Sequence, residues 1–481
     1  MRLAPVLNIL GLLTTMLAAA MLIPMAIDLY FGSDDWQVFA VSALFTAFVG
    51  VAVWLSTSQR EPFDLGLKQA FLLTNGSWLL IGVFGSFPFM FCELALSPTD
   101  AIFESVSGIT TTGSTVLENV EEASNGILIW RALLQWLGGV GIVVMAMAVL
   151  PMLSVGGMQL FRTESYDRAE KVVPRAAQLA GGIGLVYAFL TAAWATMLSL
   201  AGMGVFDAVA HAMTTIATGG YSTRTASIGA FDSVIIEWII IAGMIVGSLP
   251  FAHYLAMVRG GWQSLLEDPQ VRWFLALLLA VVGLLCWHLN TSGMPLGTAI
   301  RQSSFNAVSI MTGTGYGSAN FSAWGGFAST LLLIAMFIGG CGGSTTCGIK
   351  VFRLQVLATT ARVQISRLLR PHAVVLAYYN KRPVAPEVMD SVMGFFYLYI
   401  LCFVLLAILL GMMGLDFVTA LSGAATSISN VGPGLGNLIG ANGNFATLPD
   451  AAKWVMAFGM LLGRLELFTV LVMLTPAFWS R

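Results

Sequence analysis

Apolar stretches of about twenty residues recur along the 481-residue chain, with short polar segments between them. Some twenty helical residues cross a hydrocarbon core of ~30 Å. The pattern therefore predicts membrane-spanning helices near 3–30, 36–57, 69–91, 127–152, 178–203, 233–258, 273–291, 325–360, 391–413 and 452–475. Ten spans place both termini on one side. The first stretch does not read as a cleaved leader: it is long, lacks a small-residue cleavage site, and a second span follows at once. A second kind of element lies between certain spans: Asp100–Ile109, Phe206–Ile216, Thr298–Met311 and Asp416–Ile428 are amphipathic. As helices they reach only ~15–20 Å, half a membrane at most.

Each short segment runs into a tetrad rich in Thr and Gly. The tetrads are Thr110-Thr111-Thr112-Gly113, Ala217-Thr218-Gly219-Gly220, Thr312-Gly313-Thr314-Gly315 and Ser429-Asn430-Val431-Gly432. Non-helical backbone survives at membrane depth only where it is buried in protein or lines water. An ion stripped of its hydration shell needs a ring of backbone carbonyls, and glycyl or small residues let a backbone extend to supply them. The short helices aim their partial negative C-termini at the tetrads, which favours a cation. One such tetrad alone reads as a turn or a close helix crossing. Four in the same context, with glycines 107, 95 and 117 residues apart (220−113, 315−220, 432−315), read as one chain folded around one pore. The expected fold is an all-α polytopic membrane protein. An N-terminal helix pair (1–68) precedes pore repeats 69–152, 178–258, 272–360 and 390–476 around a pseudo-four-fold axis.

Composition agrees. Hydrophobic residues make up 57% and charged residues 10%, with mean hydropathy +0.85, against about 25% charged in soluble domains. The net charge of −2 conceals a separation. Seventeen of the 22 lysines and arginines fall on one side, from Arg2 and Arg60 through Arg162, Arg168, Lys171, Arg175, Lys350, Arg353, Arg362, Arg367 and Arg370 to Arg481. By the positive-inside rule that side is cytoplasmic. Acid collects opposite, at Asp100, Glu104, Glu118, Glu121 and Glu122 among others. It either focuses cations at the first tetrad or belongs to a solvated loop. Five cysteines scattered through apolar stretches read as small buried residues, and the four histidines show no metal-ligand spacing.

The segments ESVSGITTTGSTVL, HAMTTIATGGYSTR, NAVSIMTGTGYGS and TSISNVGPGLGN resemble the four pore loops of the Trk/Ktr/HKT superfamily of potassium transporters. The resemblance covers essentially the whole chain and is nearest to the bacterial TrkH/TrkG subunits, which also carry an extra N-terminal helix pair. It implies K⁺ as the permeant ion, bound by carbonyls of all four tetrads. In the family a serine at the first filter position goes with sodium permeation; here Gly113, Gly220, Gly315 and Gly432 fit the potassium-preferring type. The resemblance further implies a homodimer in the bacterial inner membrane. Its cytosolic regulatory subunit is of RCK type (TrkA-like) and carries any nucleotide (ATP, ADP or NAD). This chain shows neither a GxGxxG in a soluble βαβ unit nor a GKS/T motif. No cofactor of its own and no nucleic-acid partner are expected.

Two further constellations stand out. Gly339-Gly340-Cys341-Gly342-Gly343-Ser344-Thr345-Thr346-Cys347-Gly348 interrupts the apolar stretch 325–360. Glycine this dense costs about 1 kcal/mol per residue in a helix, so the span should break there. It is either a groove for close helix packing or a flexible loop in the permeation path, and the resemblance favours an intramembrane gate. Arg464 lies within the last apolar stretch, two residues before Glu466, and residues two apart do not face each other on a helix. Its alternatives are an interhelical ion pair and a positive constriction beneath the tetrads; an arginine in the family's last pore helix favours the second. Arg224 and Arg301 read as braces of the outer vestibule. The basic segment 350–388 and the charged loop 155–176 are either topogenic or a docking surface for the regulator. A secondary transporter coupled to Na⁺ or H⁺ remains the rival, but broken-helix transporters of that kind usually show two inverted repeats. A membrane enzyme is disfavoured, since paired in-membrane acids or histidines at catalytic spacing are missing from the sequence.

Overall fold

The structure, a computed structural model, describes residues 3–58, 66–148, 157, 172–258, 261, 263–370, 372, 375–380, 382–441 and 443–480. Most of the 155–176 loop, and Arg2, Arg60, Arg259, Lys381 and Arg481 of the basic side, lie outside these residues. The fold is helical apart from a two-residue antiparallel pairing of Tyr378–Tyr379 with Arg382–Pro383.

Of the ten predicted stretches, seven are helices long and apolar enough to cross a membrane: Ala4–Phe31, Trp36–Ser56, Leu67–Phe91, Asn125–Ala146, Ala180–Leu200, Pro269–Thr291 and Pro386–Met412. The other three are broken. Val234–Gly247 and Phe251–Val258 meet at 93°, where the sequence predicted one continuous span. Gly326–Ile338 ends at the Gly-rich segment and Val351–Leu369 begins beyond it, as the glycine density predicted. Asp450–Arg464 and Phe468–Met473 are separated at Glu466 and Leu467, both with positive φ (62° and 31°). That break was not foreseen either.

Four short helices lie between the spans: Pro98–Ile109, Val205–Ile216, Leu296–Met311 and Phe417–Ser429. Their starts are chemically marked. Ser97 caps the first, accepting from Asp100 N, and Pro98 occupies its first turn, where a missing N–H costs nothing. Asp416 caps the fourth, accepting from the N–H groups of Val418 and Thr419.

Burial separates inner from outer helices. Asn125–Ala146 is 72% buried against 28% for Trp36–Ser56, so the former stands beside the central axis and the latter at the rim. The N-terminal pair is tightly joined: a methyl on Gly11 would lie 2.7 Å from Trp54 N, and one on Gly50 2.6 Å from Thr15 Oγ1. The pair is fixed to the first repeat by Asp28, whose buried carboxylate accepts from Gly126 N (2.6 Å) at the start of Asn125–Ala148. That supplies the anion a helix N-terminus favours.

Candidate functional site: a closed ring of four tetrads

The four tetrads share one backbone conformation. The second and fourth residues of each have positive φ: Thr111 and Gly113, Thr218 and Gly220, Gly313 and Gly315, Asn430 and Gly432. In each, the third residue's N–H donates back to its short helix, five residues upstream: Thr112 to Ser107, Gly219 to Thr214, Thr314 to Ser309 and Val431 to Thr426, at 2.8–3.1 Å. With the N–H groups turned onto the helices, the carbonyls turn away from them. Among the described residues, the main-chain carbonyl oxygens of Thr111, Thr112, Thr218, Gly313, Thr314, Asn430 and Val431 accept no hydrogen bond. Buried carbonyls are almost always paired, so this cluster stands out.

The tetrads meet. A methyl on Gly113 would lie 2.3 Å from Gly219 O; on Gly220, 1.8 Å from Thr314 O; on Gly315, 2.1 Å from Val431 O; on Gly432, 2.8 Å from Thr112 O. Each repeat touches the next and the fourth returns to the first, so the ring is closed. Left-handed φ and this contact together favour glycine at the four positions, most strongly at Gly220 and Gly315. In repeats one, two and four the following span carries a glycine at the same depth. Methyls on Gly138, Gly247 and Gly463 would lie 1.9, 2.8 and 2.0 Å from the carbonyl oxygens of Ile109, Ile216 and Ile428.

Beneath the ring lies the Gly-rich segment, bent by positive φ at Gly339, Gly343 and Gly348. It is bound to the second repeat: Cys341 N donates to Ser248 O (3.0 Å), Thr345 N to Gly247 O (3.2 Å) and Phe251 N to Gly343 O (3.0 Å). The Thr345 hydroxyl reaches Ile216 O and shares a hydrogen bond with the Thr218 hydroxyl (3.0 Å), which places the loop directly against the second tetrad. Gly342 N donates to Gln270 Oε1 (2.9 Å), Gly340 N to Thr346 Oγ1 (3.1 Å), and the Ser344 hydroxyl pairs with that of Thr346 (2.7 Å).

Arg464 clasps the loop. Its guanidinium donates to Thr345 O (2.9 Å), Cys347 Sγ (2.8 Å) and Gly138 O (2.9 Å), joining the third, fourth and first repeats. The expectation that Cys347 merely fills apolar space is therefore corrected: it accepts from a cation. Glu466 does not pair with Arg464. It binds Lys350 (2.8 Å) and Arg353, both buried, at the start of the helix leaving the loop. The sequence count had placed those two cations among cytoplasmic loop charges; the structure moves them into the interior.

Beside the first short helix the acidic cluster is not a free field. Glu104 is fully buried and paired with Arg131 (2.8 Å), and it also accepts from Val116 N and the Thr115 hydroxyl. Asp100 binds Lys453 (2.6 Å), and Glu121 is bound by Thr225. Glu118 and Glu122 are exposed. Cation focusing by this group is thus confined to its rim. Arg224 binds Asp207 (2.9 Å) and Arg301 approaches Glu237 (3.7 Å), as braces would.

Several ring-side residues were overlooked in the sequence. Gln135 donates to Gly219 O (2.6 Å) and accepts from Tyr221 N (3.0 Å). Tyr221 and Tyr316 reach back to neighbouring repeats. The signal was available: Arg131 and Gln135, four apart, interrupt an otherwise apolar span, and polar groups at membrane depth mark working positions.

The comparisons with known proteins agree with a helical membrane fold. The TrkH family, described as a cation transport protein, matches residues 35–481. The Trk system potassium uptake protein TrkI of Halomonas elongata is 44% identical over 100% of this chain and 98% of its own. TrkH of Escherichia coli K12 is 36% identical over 98% of each chain. The crystal structure of the potassium transporter TrkH from Vibrio parahaemolyticus superposes with TM-score 0.92 at 35% identity, covering 100% of both chains. The chain belongs to the TrkH family. It is a multi-pass helical membrane protein and, as its family is one of transporters, not an enzyme.

Proposed function

We propose that the chain takes up potassium across a bacterial inner membrane through the ring of tetrads, whose carbonyls replace the water around K⁺. One observation carries this reading. Four matched tetrads turn their N–H groups onto their own helices and close into a ring, leaving buried carbonyls without donors. A small monovalent cation needs such a ring. The relatives' names, Trk system potassium uptake proteins, specify which cation.

The Gly-rich segment and Arg464 form the barrier below the ring, and conduction requires their displacement. Val351–Leu369 starts at that segment and ends with exposed Arg362, Arg367 and Arg370. A cytosolic nucleotide-binding subunit of RCK type would pull there on a helix continuous with the barrier. The charge asymmetry of the sequence supports cytoplasmic termini, and a homodimer follows from the family resemblance. Membrane voltage supplies about 2.3 kcal/mol per charge per 100 mV, enough to drive uptake without a coupling domain.

The test is K⁺ and Na⁺ permeability in proteoliposomes. Gly113→Ser is expected to lower the K⁺/Na⁺ ratio, and an unchanged ratio removes the tetrads as the filter. Coupled symport, the second class, predicts K⁺ flux that follows an imposed Na⁺ or H⁺ gradient at fixed K⁺ potential.

A further inference from the structure

The residue that follows each filter glycine differs among repeats, and with it the way the ring is fastened. Ser114, after Gly113, donates to Gly432 O of the fourth repeat (2.7 Å). Tyr221, after Gly220, donates to Glu104 O (2.9 Å) and Ser114 O (3.1 Å) of the first. Tyr316, after Gly315, shares hydrogen bonds with the hydroxyls of Thr214 (2.5 Å) and Thr215 (3.3 Å) and donates to His211 O (3.3 Å) of the second. Each therefore hooks onto the preceding repeat. Pro433, after Gly432, has neither hydroxyl nor N–H. Among the described residues no hydrogen bond at this level joins the third repeat to the fourth. The contact there is packing alone, of Gly315 against Val431 O and Pro433.

We propose that Tyr221 and Tyr316 are positioning residues for ion selectivity, and that the seam between the third and fourth repeats is the compliant side of the ring. The proposal rests on the filter reading above. A ring of carbonyls rejects a smaller cation only if it resists closing in around it. Three fastened seams resist; the fourth yields, so leakage of Na⁺ is set there and at any hook that is removed. Arg131, stacked 4.0 Å from the Tyr221 ring and donating to Ser222 O, makes the first seam the stiffest.

The test reads the K⁺/Na⁺ permeability ratio of the full chain in proteoliposomes, with total K⁺ flux alongside. Tyr316→Phe keeps the ring and removes the hydroxyl, and it should lower the ratio roughly two- to tenfold, the worth of one hydrogen bond, with K⁺ flux retained. Pro433→Ser supplies the hook that Ser114 provides elsewhere and should raise the ratio by a similar factor. A gain of selectivity is something general loosening of the fold does not produce. If Tyr316→Phe does not fold, Pro433→Ser decides. Should both leave the ratio unchanged while Gly113→Ser shifts it, the filter stands and the hooks do not matter. Should all three leave it unchanged, the filter reading falls and this proposal with it. A lower ratio from Tyr316→Phe without a gain from Pro433→Ser rejects the compliant seam.

Discussion

Arg464→Ala is the most direct probe of the barrier. The side chain makes three hydrogen bonds, two of them to the Gly-rich loop through Thr345 O and Cys347 Sγ. Bonds to a charged donor are worth ~1.5–3 kcal/mol each. Water entering the space left by the side chain recovers part of the loss, so the loop should lose about 2–4 kcal/mol of preference for its bound position. At 1.4 kcal/mol per decade, that allows a rise of roughly 30- to 1,000-fold in flux wherever loop displacement limits it. The assay is Rb⁺ uptake into K⁺-loaded proteoliposomes without any regulatory subunit. Arg464→Lys separates the two ways an arginine can obstruct a cation. Lysine keeps the charge but loses the fork that spans three acceptors. A flux near wild type with Lys means that the field of the charge is the barrier. A flux near that of Ala means that the clasp is. Wild-type flux in Arg464→Ala protein that still elutes as a single folded species would refute both.

Other perturbations follow from the same geometry. Gly220→Ala forces a side chain to φ +79° with its Cβ 1.8 Å from a backbone oxygen that cannot yield; K⁺ uptake should be lost from protein that still inserts, and retained uptake contradicts the ring contact. Glu466→Gln removes the carboxylate that buried Lys350 and Arg353 share. Breaking such a group costs ~3–5 kcal/mol, so the melting temperature in detergent should fall clearly, and an unchanged value would mean that the cations reach water. Asp416→Ala removes the cap of the fourth pore helix, at about 1 kcal/mol. Hydrogen bonds from Thr419, then Val418, hold that carboxyl below its ordinary 3.8. Its contribution is therefore present above the ordinary value and lost as pH falls through the lowered one. Thermal melts of Asp416→Ala and the parent protein should converge under acid, and a constant gap would refute the cap.

The parts of the fold legible in the sequence are those set by local pattern. The pore-helix ends Ile109, Ile216 and Met311 were located to the residue, because a Thr/Gly tetrad stops a helix and changes the apolar rhythm together. Their starts came out one or two residues late, since Pro98 and Leu296 extend the first and third helices ahead of the polar positions that mark a beginning. The breaks after Gly247 and at Leu465–Leu467 carry marks that hydropathy alone overlooks: Gly247-Ser248-Leu249-Pro250 holds a helix breaker, and Arg464 and Glu466 are charges inside an apolar stretch. The first is held by distant partners: Ser248 O and Gly247 O accept from Cys341 and Thr345, about a hundred residues on. Charge counting failed for Lys350, Arg353 and Glu104 for a related reason. A count assigns each charge to water, whereas these find opposite charges 116, 113 and 27 residues away.

On the filter reading, the two layers of the site oppose each other electrostatically. At the ring, carbonyl oxygens and the C-terminal ends of four short helices present partial negative charge, so a bare cation is welcome. One layer below, Lys350, Arg353 and Arg464 bring positive charge, and Glu466 pairs with the first two but not with Arg464. These groups are buried, where charges act over longer distances than in water. A cation held at the ring is therefore attracted by its own layer and repelled by the next, and binding does not lead to passage. Glu466 cannot relieve this by moving alone, because it is bound to both cations beside it. The charge that can move is Arg464: its three partners are two carbonyls and a thiol, all neutral, and two of them ride on a glycine-rich loop. On this reading, passage requires that loop and guanidinium swing aside together.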